Sequence, residues 1–266
     1  MCHTNSGYES DLSDEQWAII EPMGLNKTQG PGRKMALDLR AVMNGIMYVL
    51  RTGCQWRYLP KTYPNHNSVY YHYRKWCKKG QWDTINTDLR EKVRCAAGRE
   101  AQPSVAIMDS QSVRTTQVGG EHGFDGGKKV NGRKRHILTD TMGNLLKVVA
   151  HAANIGERAG AKTLLERAAD WLWTRLEKIM VDEGYAGAEF EAWVTETFDV
   201  VLDVAQRAPN QKGFVPQPIR WVVERTFAWL GRYRRLSKDY EKLTVNSESM
   251  VYLASIDRLL NRLAPS

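Results

Sequence analysis

The sequence predicts an α/β protein with a mixed sheet, preceded by a block of short helices. Before Pro103 apolar residues recur at helical spacing, whereas after it short apolar runs alternate with helical stretches. Two of those runs, SVAIMDS (104–110) and EKIMVDEGY (177–185), lead into an aspartate, Asp109 and Asp182.

Residues 1–12 read as a polar lead-in. Ser13 and Gln16 then form a capping box, with Leu12 and Trp17 as its hydrophobic staple, so a helix starts here and ends near Pro22. Gly30-Pro31-Gly32-Arg33-Lys34 must be a loop. Leu39, Val42, Met43, Ile46 and Leu50 mark a helix over 35–51, and residues 52–67, with Pro60 and Pro64, read as irregular. Ser68 caps the next predicted helix, 68–82, and a fourth covers 81–97. Helices over 13–100 with a basic, aromatic-rich member suit a helix-turn-helix-like DNA-binding domain; a small bundle with solvated charges is the simpler alternative.

Beyond Pro103, spanning 103–264, the predicted elements are a strand at 104–109, strands at 136–141 and 145–153 joined through Met142-Gly143-Asn144, and a helix at 159–172. A strand at 178–182, a helix at 187–197, a strand at 199–204, a helix carrying Glu224 and a last helix at 247–263 complete the order.

A chain of 266 residues with 42% hydrophobic residues has the composition of an ordinary globular protein. Its formal charge of +8 favours an anionic partner without naming one. Cys2, Cys54, Cys77 and Cys95 form no CxxC pair, which points away from zinc and towards reduced thiols in a cytoplasmic protein. No apolar run reaches membrane-spanning length and no signal peptide is legible, so no membrane is expected as a partner.

Carboxylates at the ends of adjacent strands converge at one edge of a sheet, and hard oxygen ligands suit magnesium or manganese. Two such ions roughly 4 Å apart can activate an attacking oxygen and stabilise a leaving one. Each aspartate alone has a bland reading as a turn residue or helix cap. Glu224 shares a helix face with Arg220, four residues earlier, beside the apolar stripe of Val223, Phe227 and Leu230. An ordinary surface ion pair would look the same.

Two basic segments flank these acids. GGKKVNGRKRH (126–136) offers Lys128, Lys129, Arg133, Lys134 and Arg135 as candidate DNA contacts, and it does not match a phosphate-binding GxxxxGK[ST] loop. The helix of Glu224 adds Arg220, Arg225, Arg232, Arg234 and Arg235. Arginine forks match phosphate oxygens, although runs of arginine are usually solvated.

The segments DSQSVRTT (109–116), FDGGKKVNGRKRHILTDTMGNLL (124–146), VDEGYAG (181–187) and RWVVERTFAWLGRYRRLSKDYE (220–241) resemble, in style and order, the DDE transposases of bacterial insertion sequences, specifically the insertion-sequence-five family. LSDEQWAIIEP (12–22) and QWRYLP (55–60) resemble the helical domain that precedes the core in that family. The resemblance implies a ribonuclease-H-like core in which Asp109, Asp182 and Glu224 are catalytic metal ligands. It also implies magnesium, with manganese as a substitute and two ions in use. The implied reaction is cleavage at the element's ends followed by attack of the freed 3′ hydroxyl on target DNA. Terminal inverted repeats and target DNA are the implied partners, in a complex of at least two copies. A metal-dependent nuclease, or a DNA-binding regulator with an inactive core, are the competing readings. The family's signature keeps Arg220 and Glu224 here but has Gln217 in place of its tyrosine and Gly231 in place of its lysine.

Overall fold

A computed structural model describes residues 7–25, 37–205 and 220–265. The loop expected at Gly30–Lys34, and Gln217 of the signature, lie outside these residues. The helical block comprises α1 (Asp14–Ile20), α2 (Leu39–Thr52), α3 (His66–Lys78) and α4 (Gln81–Ala96). The capping box at Ser13 forms as expected: Ser13 Oγ accepts from Gln16 N–H and the Gln16 side chain accepts from Ser13 N–H. The cap of α3 is Asn65, three residues before Ser68, because its side-chain oxygen accepts from Asn67 N–H.

The remainder runs β1 (Val105–Arg114), β2 (Gly123–Asp125), β3 (Val130–Asp140), β4 (Leu145–Ala152), α5 (Glu157–Glu166), α6 (Asp170–Trp173), β5 (Lys178–Val181), α7 (Ala188–Phe198), β6 (Val201–Val204), α8 (Arg220–Leu230) and α9 (Thr244–Leu263). The sheet is mixed and ordered β2-β3-β1-β5-β6, with β4 also paired to β3. β1 runs antiparallel to β3 and parallel to β5. Two strands exceed their expected lengths. β1 continues five residues past Asp109, and β3 begins inside the basic segment, because Ser110–Arg114 pair with Gly132–His136 along one antiparallel ladder.

Strand alternation divides the core between the two faces of the sheet. Ile107, Ile137, Leu145 and Val148 join the core formed by α1–α4, α8 and α9. Ala106, Met108, Leu138, Leu146 and Val149 face α5, α6 and α7. The boundary expected near Pro103 marks where helices give way to strands, yet the first core runs across it. Tyr73 of α3 donates to the Asn246 carbonyl of α9 over 2.8 Å, and Asn86 of α4 donates to the Leu145 carbonyl of β4 over 2.9 Å.

Candidate active site

The two aspartates meet through register. β1 and β5 pair with Val105 opposite Lys178 and Ile107 opposite Met180. Carried forward two residues, the same register sets Asp109 level with Asp182, on strands about 4.8 Å apart. Strand parity fixes the side of Asp109, which shares the face of Ile107; Ile107 and Met180 pack on the core that contains Val222, Val223 and Phe227 of α8. Asp109 therefore lies on the α8 side of the sheet, Asp182 lies just past the end of β5, and both are half-buried.

Asp109 is a mid-strand residue rather than a strand-ending one. What ends near it is the pairing with β5. Its Oδ1 accepts from Ser110 N–H at 2.7 Å. Asp182 directly follows β5 and caps the short turn Glu183–Tyr185, accepting from Gly184 N–H at 3.0 Å. Glu224 is exposed on α8, which packs against β1. The turn of the β3–β4 hairpin anchors α8: Thr226 Oγ1 donates to the Gly143 carbonyl at 3.1 Å, and Arg258 of α9 donates to the same oxygen at 2.8 Å. Among the described residues, no three His, Cys, Asp or Glu side chains lie close enough to hold a metal ion. The donor set nevertheless fits magnesium, which is commonly held by one or two carboxylates and completed by water and substrate phosphate.

A fourth carboxylate escaped the sequence reading. Glu157, at the start of α5, lies behind β1 on the face opposite Asp109. Its Oε2 accepts from Ser110 Oγ at 2.7 Å and from the Tyr185 hydroxyl at 3.4 Å, and its Oε1 accepts from Lys134 Nζ at 2.9 Å. His136 Nε2 lies 3.1 Å from Oε2. One side chain thus ties together β1, β3 and the turn that follows Asp182. Burial alone would raise the Glu157 pKa, but the bonds from His136, Ser110 and Lys134 outweigh it and hold the group below the usual carboxylate range. Burial raises the Tyr185 hydroxyl, and the nearby carboxylates Glu157, Asp109 and Asp182 add to that rise. An acid in the first turn of a helix looks ordinary in sequence, and no local signal marks Glu157 as this hub.

The basic candidates divide into two groups. Arg133, Lys134 and Arg135 are buried, which does not fit the expectation that they reach a DNA backbone. Arg133 donates to the carbonyls of Glu121, Glu241 and Lys242 and pairs with Asp239 at 3.2 Å. Arg135 donates to the carbonyls of Leu236 and Lys238. Arg235 is buried too, held by Glu241 at 2.7 and 2.9 Å. Arg225 is half-buried between Trp221 and Trp229, 4.2 and 4.6 Å from their ring centres. Lys128, Lys129, Arg232 and Arg234 are exposed. The side chain of Arg220 lies outside the described residues.

Comparison with known proteins places these features in a family. Residues 100–256 match the model of the transposase DDE domain. Residues 12–86 match a model of transposases of the IS4/5 family. The chain is 33% identical over 114 residues to the insertion element IS402 uncharacterized 16.2 kDa protein of Burkholderia cepacia, a match that covers 41% of this chain and 76% of that relative.

Proposed function

The chain belongs to the DDE transposase family, and on that footing we propose that it cuts DNA at the terminal inverted repeats of an insertion sequence and joins the freed 3′ ends to target DNA. The observation that supports this reading is the parallel register of β1 and β5, which, carried two residues on, sets Asp109 level with Asp182 at one end of the sheet.

Asp109 and Asp182 would hold magnesium, or manganese in its place, with Glu224 reaching in from α8. When two ions are bound, they supply an activated attacking oxygen and a stabilised leaving oxygen at the phosphodiester. The protein's own part is positional. β1 and β5 fix the two aspartates relative to each other, the β3–β4 turn anchors α8 beside them, and Glu157 braces Ser110 and Tyr185 from behind.

Exposed Lys128, Lys129, Arg232 and Arg234, with Arg225 next to Glu224, would meet DNA phosphates; Arg220 is a further candidate by its position in the sequence. Arg133, Lys134, Arg135 and Arg235 instead build the scaffold. The helical block would read the terminal repeats, and pairing of two DNA ends calls for at least two copies in the reaction complex. No described helix is long and apolar enough to cross a membrane.

A strand-transfer assay with terminal-repeat DNA, target plasmid and magnesium tests the reading. Joined products support transposition. Cut ends without joined products would move the assignment to a nuclease, and metal-independent binding without cutting would move it to a regulator.

A further inference from the structure

A groove of about 1130 Å³ lies between the helical block and the far end of β1, well away from the aspartates. From Asp109 to Thr115, at the edge of the groove, is six strand residues, or about 20 Å. It is larger than the roughly 300–1,000 Å³ typical of small-molecule pockets and open to solvent, as a site for a polymer would be.

Aromatic side chains and one cation line its inner surface. Trp56 packs on Tyr70 with ring centres 5.2 Å apart. The Arg235 guanidinium sits 5.9 Å from the Trp56 ring and 5.3 Å from that of Tyr240. Arg235 cannot swing away, because Glu241 holds both its Nε and its Nη2. The wall is equally fixed. Thr116 N–H donates to the Asp239 carbonyl and Asp239 N–H donates to the Arg114 carbonyl, lacing the end of β1 to the segment that carries Tyr240. Gly120, at φ +100°, sits so close to the Lys242 carbonyl that a Cβ would collide with it.

The rim is cationic and amide-rich. Lys238 and Lys242 are exposed, as are Gln117 and Asn131. Among the described residues, Glu241 is the only acid lining the groove, and it is buried and already paired with Arg235. Half-buried aromatic rings beside exposed lysines suit unstacked bases on a phosphate backbone. A duplex hides its base faces, so it would leave the aromatic floor unused.

We infer that this groove binds an unpaired stretch of DNA strand, with bases against Trp56, Tyr70 and Tyr240 and phosphates at Lys238 and Lys242. The inference rests on the reading that the chain acts on DNA. At 3.4 Å per base pair, the groove lies about six base pairs from the aspartates. It would therefore grip DNA that has opened near the cut, rather than the scissile bond itself.

Fluorescence anisotropy tests this with a labelled oligothymidine of about twelve nucleotides, within the site size usual for such grooves, and a duplex of equal length. For Lys238→Glu/Lys242→Glu, oligothymidine affinity should fall at least roughly tenfold, and the dependence of log affinity on log salt should become shallower by about 1.4. Tyr240→Ala should weaken oligothymidine roughly 5-fold to 100-fold with little change in that salt slope. An iododeoxyuridine-substituted strand should crosslink to Trp56, Tyr70 or Tyr240. Unchanged affinity and slope in the charge-reversed variant, with its melting temperature preserved, would overturn the inference, as would crosslinks confined to other segments. If the unaltered chain cuts terminal-repeat DNA but does not bind oligothymidine, this inference alone fails. If it binds oligothymidine in the groove but cuts nothing, the groove stands and the transposition reading fails.

Discussion

Replacing Glu157 by Gln should loosen the scaffold behind the aspartates. The carboxylate neutralises Lys134, whose side chain is only 6% exposed, and it bonds Ser110 and Tyr185 as well. Removing one partner of a buried pair costs about 3–5 kcal/mol when the other charge is left uncompensated; here Lys134 keeps a longer contact with Asp125, at 3.8 Å, and a bond to the Ile155 carbonyl, so the loss is smaller. Glu157 itself is 27% exposed, so water screens part of that loss and about 2–3 kcal/mol is the better expectation. At roughly 2–4 °C per kcal/mol for a chain of this size, the melting temperature should fall by roughly 4–12 °C. The difference should also depend on pH. The folded pKa of Glu157 is depressed, so its stabilisation is complete above the ordinary glutamate value near about 4.3 and fades as the pH drops below it. Calorimetric melts of the parent, Glu157→Gln and Glu157→Gln/Lys134→Met measure all of this. The double variant should recover part of the loss, since it removes a buried cation left with only the longer contact to Asp125. A Glu157→Gln protein that melts within about 1 °C of the parent at neutral pH, a shift worth less than roughly 0.5 kcal/mol, would refute the reasoning.

Burial pushes His136, His151 and His72 below the ordinary imidazole value; for His136 this outweighs the pull of Glu157. All three must take up protons on unfolding in mild acid, so thermal stability should be highest above about pH 6.5 and fall as the pH drops through that value. A melting temperature constant between about pH 7 and 5 would contradict this. The arginines should separate into two classes. Arg133→Ala, which strips a fully buried ion pair with Asp239 and three carbonyl contacts, should destabilise by about 3–5 kcal/mol in denaturant titrations. Arg232→Ala and Arg234→Ala should leave the midpoint almost unchanged, within about 0.5 kcal/mol, while each lowers duplex affinity and flattens its salt dependence by about 0.9. If Arg133→Ala proves neutral in stability, or Arg232→Ala and Arg234→Ala do not alter DNA binding, the division fails.

Local sequence revealed what local physics decides. The capping box at Ser13, the stripe of α2 and the β3–β4 hairpin follow from neighbours within a few residues. The two aspartates were legible because apolar runs lead up to them, and the structure adds the register that brings them level. The basic run before His136 was misleading, since lysine and arginine normally mark solvated loops. Here the partners that bury Arg133 and Arg135 lie about a hundred residues away, as backbone carbonyls and an aspartate between 236 and 242. Pairing beyond the local window also hid the extension of β1, whose last residues are held by β3 and by Asp239. Glu157 was invisible for a related reason: its partners come from three separate segments. A continuous core across Pro103 likewise depends on α9, the last helix of the chain, packing back into the first four.

If Asp109 and Asp182, set level by β1 and β5, hold the metal for DNA cleavage, neither carboxylate can be replaced by an amide without losing the reaction. Cleavage of end-labelled terminal-repeat DNA with increasing magnesium, compared across the parent, Asp109→Asn and Asp182→Asn, tests it most directly. Cleavage should be magnesium-dependent in the parent and absent in either variant, with all three melting at similar temperatures. Cleavage by Asp109→Asn or Asp182→Asn at the parent's rate and magnesium dependence would contradict it.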